Sequence, residues 1–353
     1  LSQHGHRATT ATAQTRPLFQ GSFLSNFGDT RHYDAEDDAR THGDLREAWY
    51  RYIADDYELL VGVNRVFFGV TESRHLVDVV NQADLVEDID EEDKLGQPMI
   101  NLTWFSDWGT FGLYVMTGFR LRTFPGESGR LRTPLIIDGD DPVFESDLAR
   151  WHPDVALRYS DTFGDWDLGL TWFSGTGREP LFVPSARGER LRPRYTQIHQ
   201  GGLDLQYTYE AWLLKVEAIG RSGHGDLFAA TVVGAEYTLY QLIGATDLGV
   251  LVEYLYDGRE ADFSRAPFTA AEDDIFGGFR LALNDIQDTS LLAGAIVDRE
   301  TGATLVTVEA ERRLGDHFKL ELESRLVLNT EAGQPLDFFK DDSFVTGRLS
   351  WFF

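Results

Sequence analysis

The sequence predicts an all-β transmembrane barrel, an antiparallel up-and-down sheet of about 16 strands with short turns at one end and long loops at the other. Three observations carry that reading. Apolar and polar residues alternate with a period of two over repeated segments of about 10 to 14 residues. The connections between those segments are short and long in turn. The chain ends "TGRLSWFF", a strand pattern closing on aromatic residues, although the formal net charge is -26.

Four segments show the alternation most clearly. In "GTFGLYVMTGFRLRTF", Phe111, Leu113, Val115, Phe119 and Leu121 share one face, and Tyr114, Arg120 and Arg122 the other. "DWDLGLTWF" sets Trp166, Leu168, Leu170 and Trp172 against Asp167, Gly169 and Thr171. "ATLVTVEAERR" sets Val306 and Val308 against Glu309 and Glu311, and "KLELESRLVL" sets Leu320, Leu322 and Leu326 against Glu321, Glu323 and Arg325. One apolar and one polar face is the pattern of a half-buried strand. Such segments start near residues 17, 44, 57, 98, 110, 152, 165, 196, 211, 228, 246, 273, 289, 303, 319 and 342. "LLVGVNRVFFG" is apolar on both faces and leaves the side chains of its strand unassigned.

The short connections are "DDY", "DWGT", "FGDW", "YEA", "GATD", "IQDT" and "LGDH"; between them come stretches such as "GTGREPLFVPSARGERLRPRY" and "NTEAGQPLDFFKDDS". Sheet physics needs only tight turns, so nothing in it requires one end to be elaborate. A membrane barrel has that asymmetry, with short periplasmic turns and long external loops. The chain divides into a flexible segment over 1–16 and a barrel over 17–353, with long loops at 70–97 and 125–151.

Composition narrows the function. No stretch approaches the roughly 18 to 20 consecutive apolar residues of a membrane helix, but a barrel turns only every second residue to lipid and escapes that measure. Aromatic residues make up 13% of the chain, with no cysteine and hence no disulfide or thiolate site. The acidic balance argues against nucleic acid, whose phosphates need the opposite sign. There is no G-x-S-x-G, no H-E-x-x-H and no phosphate loop, and His199 and His224 stand alone, so an enzyme is not expected. No cofactor is expected. The carboxylates Asp138, Asp140 and Asp141, and the run Asp88, Asp90, Glu91, Glu92 and Asp93, are read as solvated loops, with Ca²⁺ binding as the alternative.

The last strand puts Leu349, Trp351 and Phe353 on one face. That end resembles the signature by which bacterial outer-membrane barrels are recognised for insertion, which implies the barrel assembly machinery, outer-membrane lipid and lipopolysaccharide as partners. The stretch "GVNRVFFGVTESRHLVDVVNQADL" resembles the "G-R-Q-x-V-x-W-G … V-L-D-V-V-N-P-x-D" motif of a large family of Gram-negative outer-membrane barrels. Gln82 stands where that family has Pro. The resemblance covers about 25 residues and implies fold and outer-membrane location, but no substrate.

With the lipid face fixed by alternation, the basic candidates for the lumen are Arg51, Arg120, Arg122, Arg158, Lys215, Arg280 and Arg348. The acidic ones are Glu47, Asp204, Glu217, Glu236, Glu253, Glu309, Glu311, Glu321 and Glu323. Arg120, Arg122 and Arg158 fall on adjacent predicted strands, and the last four glutamates on another adjacent pair. Many ionisable side chains in a dry core are costly, so the lumen is expected to be wet. A barrel of about 16 strands is wide enough for an aqueous channel. Opposed basic and acidic walls are one reading of these charges; local pairing and solvation is the other.

The loop at 70–97 has Leu76, Val79, Val80, Ala83 and Leu85 at near-helical spacing, with Asp78, Asn81 and Asp84 between them. Apolar residues on an external loop need cover. They are expected either to fold into the lumen as a constriction or plug, or to pack as a short helix at the mouth. The functional expectation is a porin-like channel for passive or selective passage of small polar or charged solutes. Its rivals are a transporter for hydrophobic small molecules, for which inward Phe173, Leu251 and Leu255 leave room, a barrel enzyme acting on lipid or peptide at the mouth, and a closed scaffold barrel. A homo-oligomer and an envelope complex both stay open as assemblies.

Overall fold

A computed structural model describes residues 22–31, 43–86, 89–269, 271–333 and 335–352. The expected flexible segment at 1–16, Asp88 and Phe353 lie outside them. The first strands are β1 (Ser22–Arg31), β2 (Gly43–Ile53), β3 (Tyr57–Asn64), β4 (Gln97–Ser106), β5 (Gly109–Met116), β6 (Val143–Phe144), β7 (Asp154–Phe163) and β8 (Trp166–Thr176). Then follow β9 (Leu181–Pro184), β10 (Leu191–Tyr195), β11 (Gln197–Tyr209), β12 (Trp212–Ser222), β13 (Phe228–Ile243) and β14 (Thr246–Asp257). The last are β15 (Asp273–Ala282), β16 (Ser290–Asp298), β17 (Thr304–Leu314), β18 (Phe318–Leu328) and β19 (Phe344–Trp351).

Sixteen of these form one sheet in chain order, interrupted only where β6, β9 and β10 split off into a small three-stranded sheet between the long loops. Every pairing within the large sheet is antiparallel, as in Leu170 opposite Tyr159 on β7 and opposite Leu203 on β11. The strand starts fall within a few residues of those the alternation predicts.

The outward face is apolar and uncovered. Leu170 keeps 45% and Val252 55% of its surface, and Val250, Leu322 and Leu349 are exposed in the same way. A sheet with this many bare aliphatic side chains is covered by lipid, the one medium that leaves them out of water. The aromatic pairs Trp104–Phe111, Trp166–Tyr207, Trp212–Tyr237 and Phe318–Trp351, with ring centroids 4.4–6.4 Å apart, all lie at the short-turn end. They form a girdle where apolar rings meet headgroups. Trp351 therefore has a girdle position beside its exposed neighbour Leu349.

One strand differs from the sequence reading. The alternation of "GTFGLYVMTGFRLRTF" runs on past residue 116, but β5 ends at Met116. Gly118 takes φ 86, a left-handed conformation that suits glycine, and turns the chain out of the sheet. Phe119 then packs edge-on against Tyr195 at 4.8 Å, in an aromatic cluster with Phe144. The pattern continues because a second apolar cluster, above the barrel, uses it. Arg120 and Arg122 are thus loop residues and not part of the barrel wall.

Candidate functional site

Gly69 opens the stretch that the sequence leaves ambiguous between lumen and mouth. The chain over residues 65–86 and 89–95 lies inside the barrel. Val77 and Val80 are fully buried, and Leu76, Val79, Ala83 and Val86 nearly so. Leu76, Val77, Val79 and Val80 form one apolar cluster with inward side chains of the wall, including Met99, Phe173, Leu251 and Leu255. Phe173 and the two leucines are therefore packed against this inner segment and do not line an open pocket. The near-helical spacing forms no helix. The segment is a series of turns, with isolated bridges pairing Ala83 with Lys94 and Asp84 with Thr123.

The wall holds the segment through polar groups on many strands. Glu217 of β12, fully buried, accepts hydrogen bonds from the Val70 and Thr71 amides at 2.8 and 3.1 Å, from Thr71 Oγ1 at 2.7 Å and from the Val77 amide at 3.2 Å. Glu253 of β14 accepts from the Glu72 and Ser73 amides, both at 2.8 Å, and from Ser73 Oγ. Two carboxylates thus satisfy a turn of backbone N–H groups that has left the water. Burial would push the His75 imidazole down, but Glu217, 3.6 Å away, holds it above its ordinary value.

Further attachments circle the barrel. Asp84 pairs with Arg46 of β2, and Gln200 of β11 donates to the Leu76 carbonyl at 3.2 Å. Arg74 meets Asp257 of β14 at 3.0 Å, Glu72 meets Arg280 of β15, and Asp90 meets Arg325 of β18. One segment reaches walls this far apart in the sheet order because the sheet curls around it. Asn81 is buried and bonds the Asn64 and Leu95 carbonyls at 3.0 and 2.9 Å, closing the base of the excursion. Asp78 is buried with Lys94 at 3.3 Å, and burial raises its carboxyl above the usual range. Arg178, in the loop after β8, donates to the Val80 carbonyl at 2.8 Å and to Asp154 at 2.7 Å. Nothing in its sequence context marks that role.

The predicted lumen charges fall into pairs. Arg158 makes a two-pronged bond to Asp204 across β7, β8 and β11, and its guanidinium lies 4.7 Å from the Phe68 ring centre. Arg280 also faces Glu236 at 3.9 Å, and Arg51 faces Glu58 at 3.7 Å. Arg120 bonds Asp44 and the Gly96 carbonyl; Arg122 meets Glu91 at 2.8 Å and Gln82 at 3.0 Å. The expected grouping of Arg120, Arg122 and Arg158 on adjacent strands is therefore incorrect, and each of these arginines already has a carboxylate. Glu309, Glu311, Glu321 and Glu323 do share one wall, cross-paired on β17 and β18. Arg325 serves Glu309 and Glu323 at 3.0 and 3.1 Å, and Lys319 serves Glu311 and Glu321 at 2.7 and 2.9 Å. Arg348 of β19 stands opposite Glu321 in the register.

A cavity of about 600 Å³ lies between the inner segment, the wall of β15 to β18 and the long loops. Phe276, Leu292, Ile296 and Leu305 line it from the wall, and Leu131, Phe182, Phe268 and Phe339 from the loops. The inner segment supplies Leu85, Ile89 and the carboxylates of Asp90, Glu91 and Glu92. Glu92 is exposed to the cavity yet surrounded by protein, and that burial, with Asp90 and Glu309 nearby, pushes its carboxyl up to about 7. Behind the cavity, Arg221 and Arg259 both meet Glu179 at 2.9 Å; burial opposes its charge, but the two guanidinium groups hold it well below the usual carboxylate range. Buried His224 is driven down to about 3 by burial and by the same arginines. Among the described residues, no three His, Asp or Glu side chains converge to hold a metal ion. Asp141 instead pairs with Arg192 at 2.6 Å.

Comparison with solved structures agrees with this architecture. The structure of Wzi from Escherichia coli, described as an outer-membrane protein involved in group 1 capsule assembly and a carbohydrate-binding β-barrel, matches with a TM-score of 0.55. The match covers 94% of this chain and 79% of that one at 9% identity. The chain has the fold of an outer-membrane β-barrel. The trimer form of OmpT, an outer-membrane protein of Vibrio cholerae, aligns at 11% identity over 94% of this chain and 91% of that one, with a TM-score of 0.41. No protein-family model and no curated protein sequence matches the chain.

Proposed function

We propose that this barrel is a substrate-selective transporter of a bacterial outer membrane, in which the inner segment closes the lumen to general diffusion and the outer cavity admits the solute. The carrying observation is the continuous buried core that joins Val77 and Val80 to the walls of the barrel. A porin-like open pore needs water where these valines sit. A solute entering from the loop side meets aromatic and aliphatic side chains first, then carboxylates, as a partly apolar ligand requires. From Glu309 in the cavity wall downward, Glu309, Glu311, Glu321 and Glu323 retain 30–44% side-chain exposure, a stripe along which a solute passes once the segment moves.

Planar-bilayer recording tests this. The wild-type protein is expected to conduct in small or rare steps. A variant with residues 70–93 replaced by a short Gly-Ser linker should give steps several-fold larger. Equal, large conductance in both proteins would mean that the segment does not obstruct the path. Silence in both, with heat-modifiable migration showing folded barrels, would favour a closed scaffold.

A further inference from the structure

We infer that the outer cavity selects organic cations carrying an apolar body. The inference rests on the reading of the cavity as the solute site and adds the charge of its ligand. Every guanidinium that the inner segment or the wall turns toward the cavity is already bonded to a carboxylate: Arg74 to Asp257 and Arg325 to Asp90 and Glu309. Arg122, at the loop margin, is likewise held by Glu91. Glu92 lines the same cavity, and the attraction of His75 and Arg325 offsets only part of the repulsion it meets there from Asp90 and Glu309. Burial, and after it repulsion by Asp90 and Glu309, raises its carboxyl above the usual range.

An anionic ligand at this floor would have to displace an existing ion pair and approach a surplus of like charge. A cation relieves that surplus and breaks nothing. Arg132, the remaining cavity-lining guanidinium among the described residues, sits on an external loop, exposed, where water screens it. The apolar requirement comes from the other walls. Phe182, Phe268, Leu305 and Phe339 offer no polar group to a small inorganic ion, whereas aromatic faces attract an organic ammonium group. The glutamates of β17 and β18 continue the same sign away from the cavity floor.

Titration calorimetry on the full-length folded barrel in detergent, near pH 8, compares naphthylmethylammonium, naphthalenemethanol and naphthoate, three probes of similar size and different charge. The cation should bind at least about tenfold more tightly than either of the others, and Glu92→Gln should remove most of that preference while the neutral probe binds as before. Glu92 is exposed to the cavity and lies outside the barrel's strand ladder, so the variant should migrate as a folded barrel. Equal affinities for the three probes, or preference for naphthoate, would overturn the inference and leave the cavity as a solute site. Failure of all three probes to bind would overturn both readings.

Discussion

Replacing Glu217 and Glu253 together by alanine is expected to free the turn at 70–77 from the barrel wall and open the Arg74–His75 bond to trypsin. In the folded protein these two carboxylates accept hydrogen bonds from the amides of Val70, Thr71, Glu72, Ser73 and Val77 and from the hydroxyls of Thr71 and Ser73. A hydrogen bond to a charged acceptor contributes about 1.5–3 kcal/mol, and a buried donor left without a partner costs about as much. The sum amounts to several kcal/mol, enough to shift the segment from docked to mostly undocked. The barrel ladder does not depend on these side chains, so heat-modifiable migration should persist. Rapid nicking after Arg74 in the double variant, against protection in the wild type, is the expected outcome. Protection in both would show that apolar packing alone holds the segment.

The second large effect lies on the lipid face. Leu170→Arg should impair assembly and lower the stability of the inserted barrel by about 2–4 kcal/mol if the residue sits near the bilayer midplane. Leu170 is in the middle of β8, flanked by strands on both sides, and faces away from the inner segment. Denaturant unfolding in lipid vesicles measures the loss. The sequence pattern alone puts Leu121 on the same face, but Leu121 follows the turn at Gly118 and belongs to a loop. Arginine there should not carry the lipid-face cost. A comparable loss at both positions would mean that the end of β5 is misplaced.

That pair of leucines also shows how far the sequence can be read. Strand positions are legible because a barrel forces every second residue into lipid, and the forced alternation is local. The end of β5 is not legible, because Phe119 and Leu121 keep the same period past the strand's end, where Phe119 serves the cluster around Tyr195. Leu76, Val79 and Val80 announce by their apolarity that the long loop needs cover, but not which surface supplies it. The answer lies in Glu217 and Glu253, which pattern alone reads as two more wet lumen acids. Their donors lie some 140–181 residues earlier in the chain, and no local rule connects them. The opposed basic and acidic walls fail for a related reason. Alternation gives the face of Arg158 but not that Asp204 stands two strands away with both oxygens aimed at it. Arg178 is harder still, since a loop arginine has no periodic neighbours to reveal where it points.

The central claim is that the stretch around Val77 lies inside the barrel against β11. The chain has no cysteine, so a cysteine pair can be introduced without background. A Cβ built at Gly202 would lie 3.6 Å from the Val77 Cβ. That is within the roughly 3.5–4.5 Å spanned by disulfides. In outer-membrane vesicles, the variant with Val77→Cys and Gly202→Cys should form a disulfide on mild oxidation, and before oxidation its thiols should resist a bulky, membrane-impermeant maleimide. Two free thiols after oxidation, with the Val77→Cys position labelled from outside, would place the segment at the mouth and contradict the account.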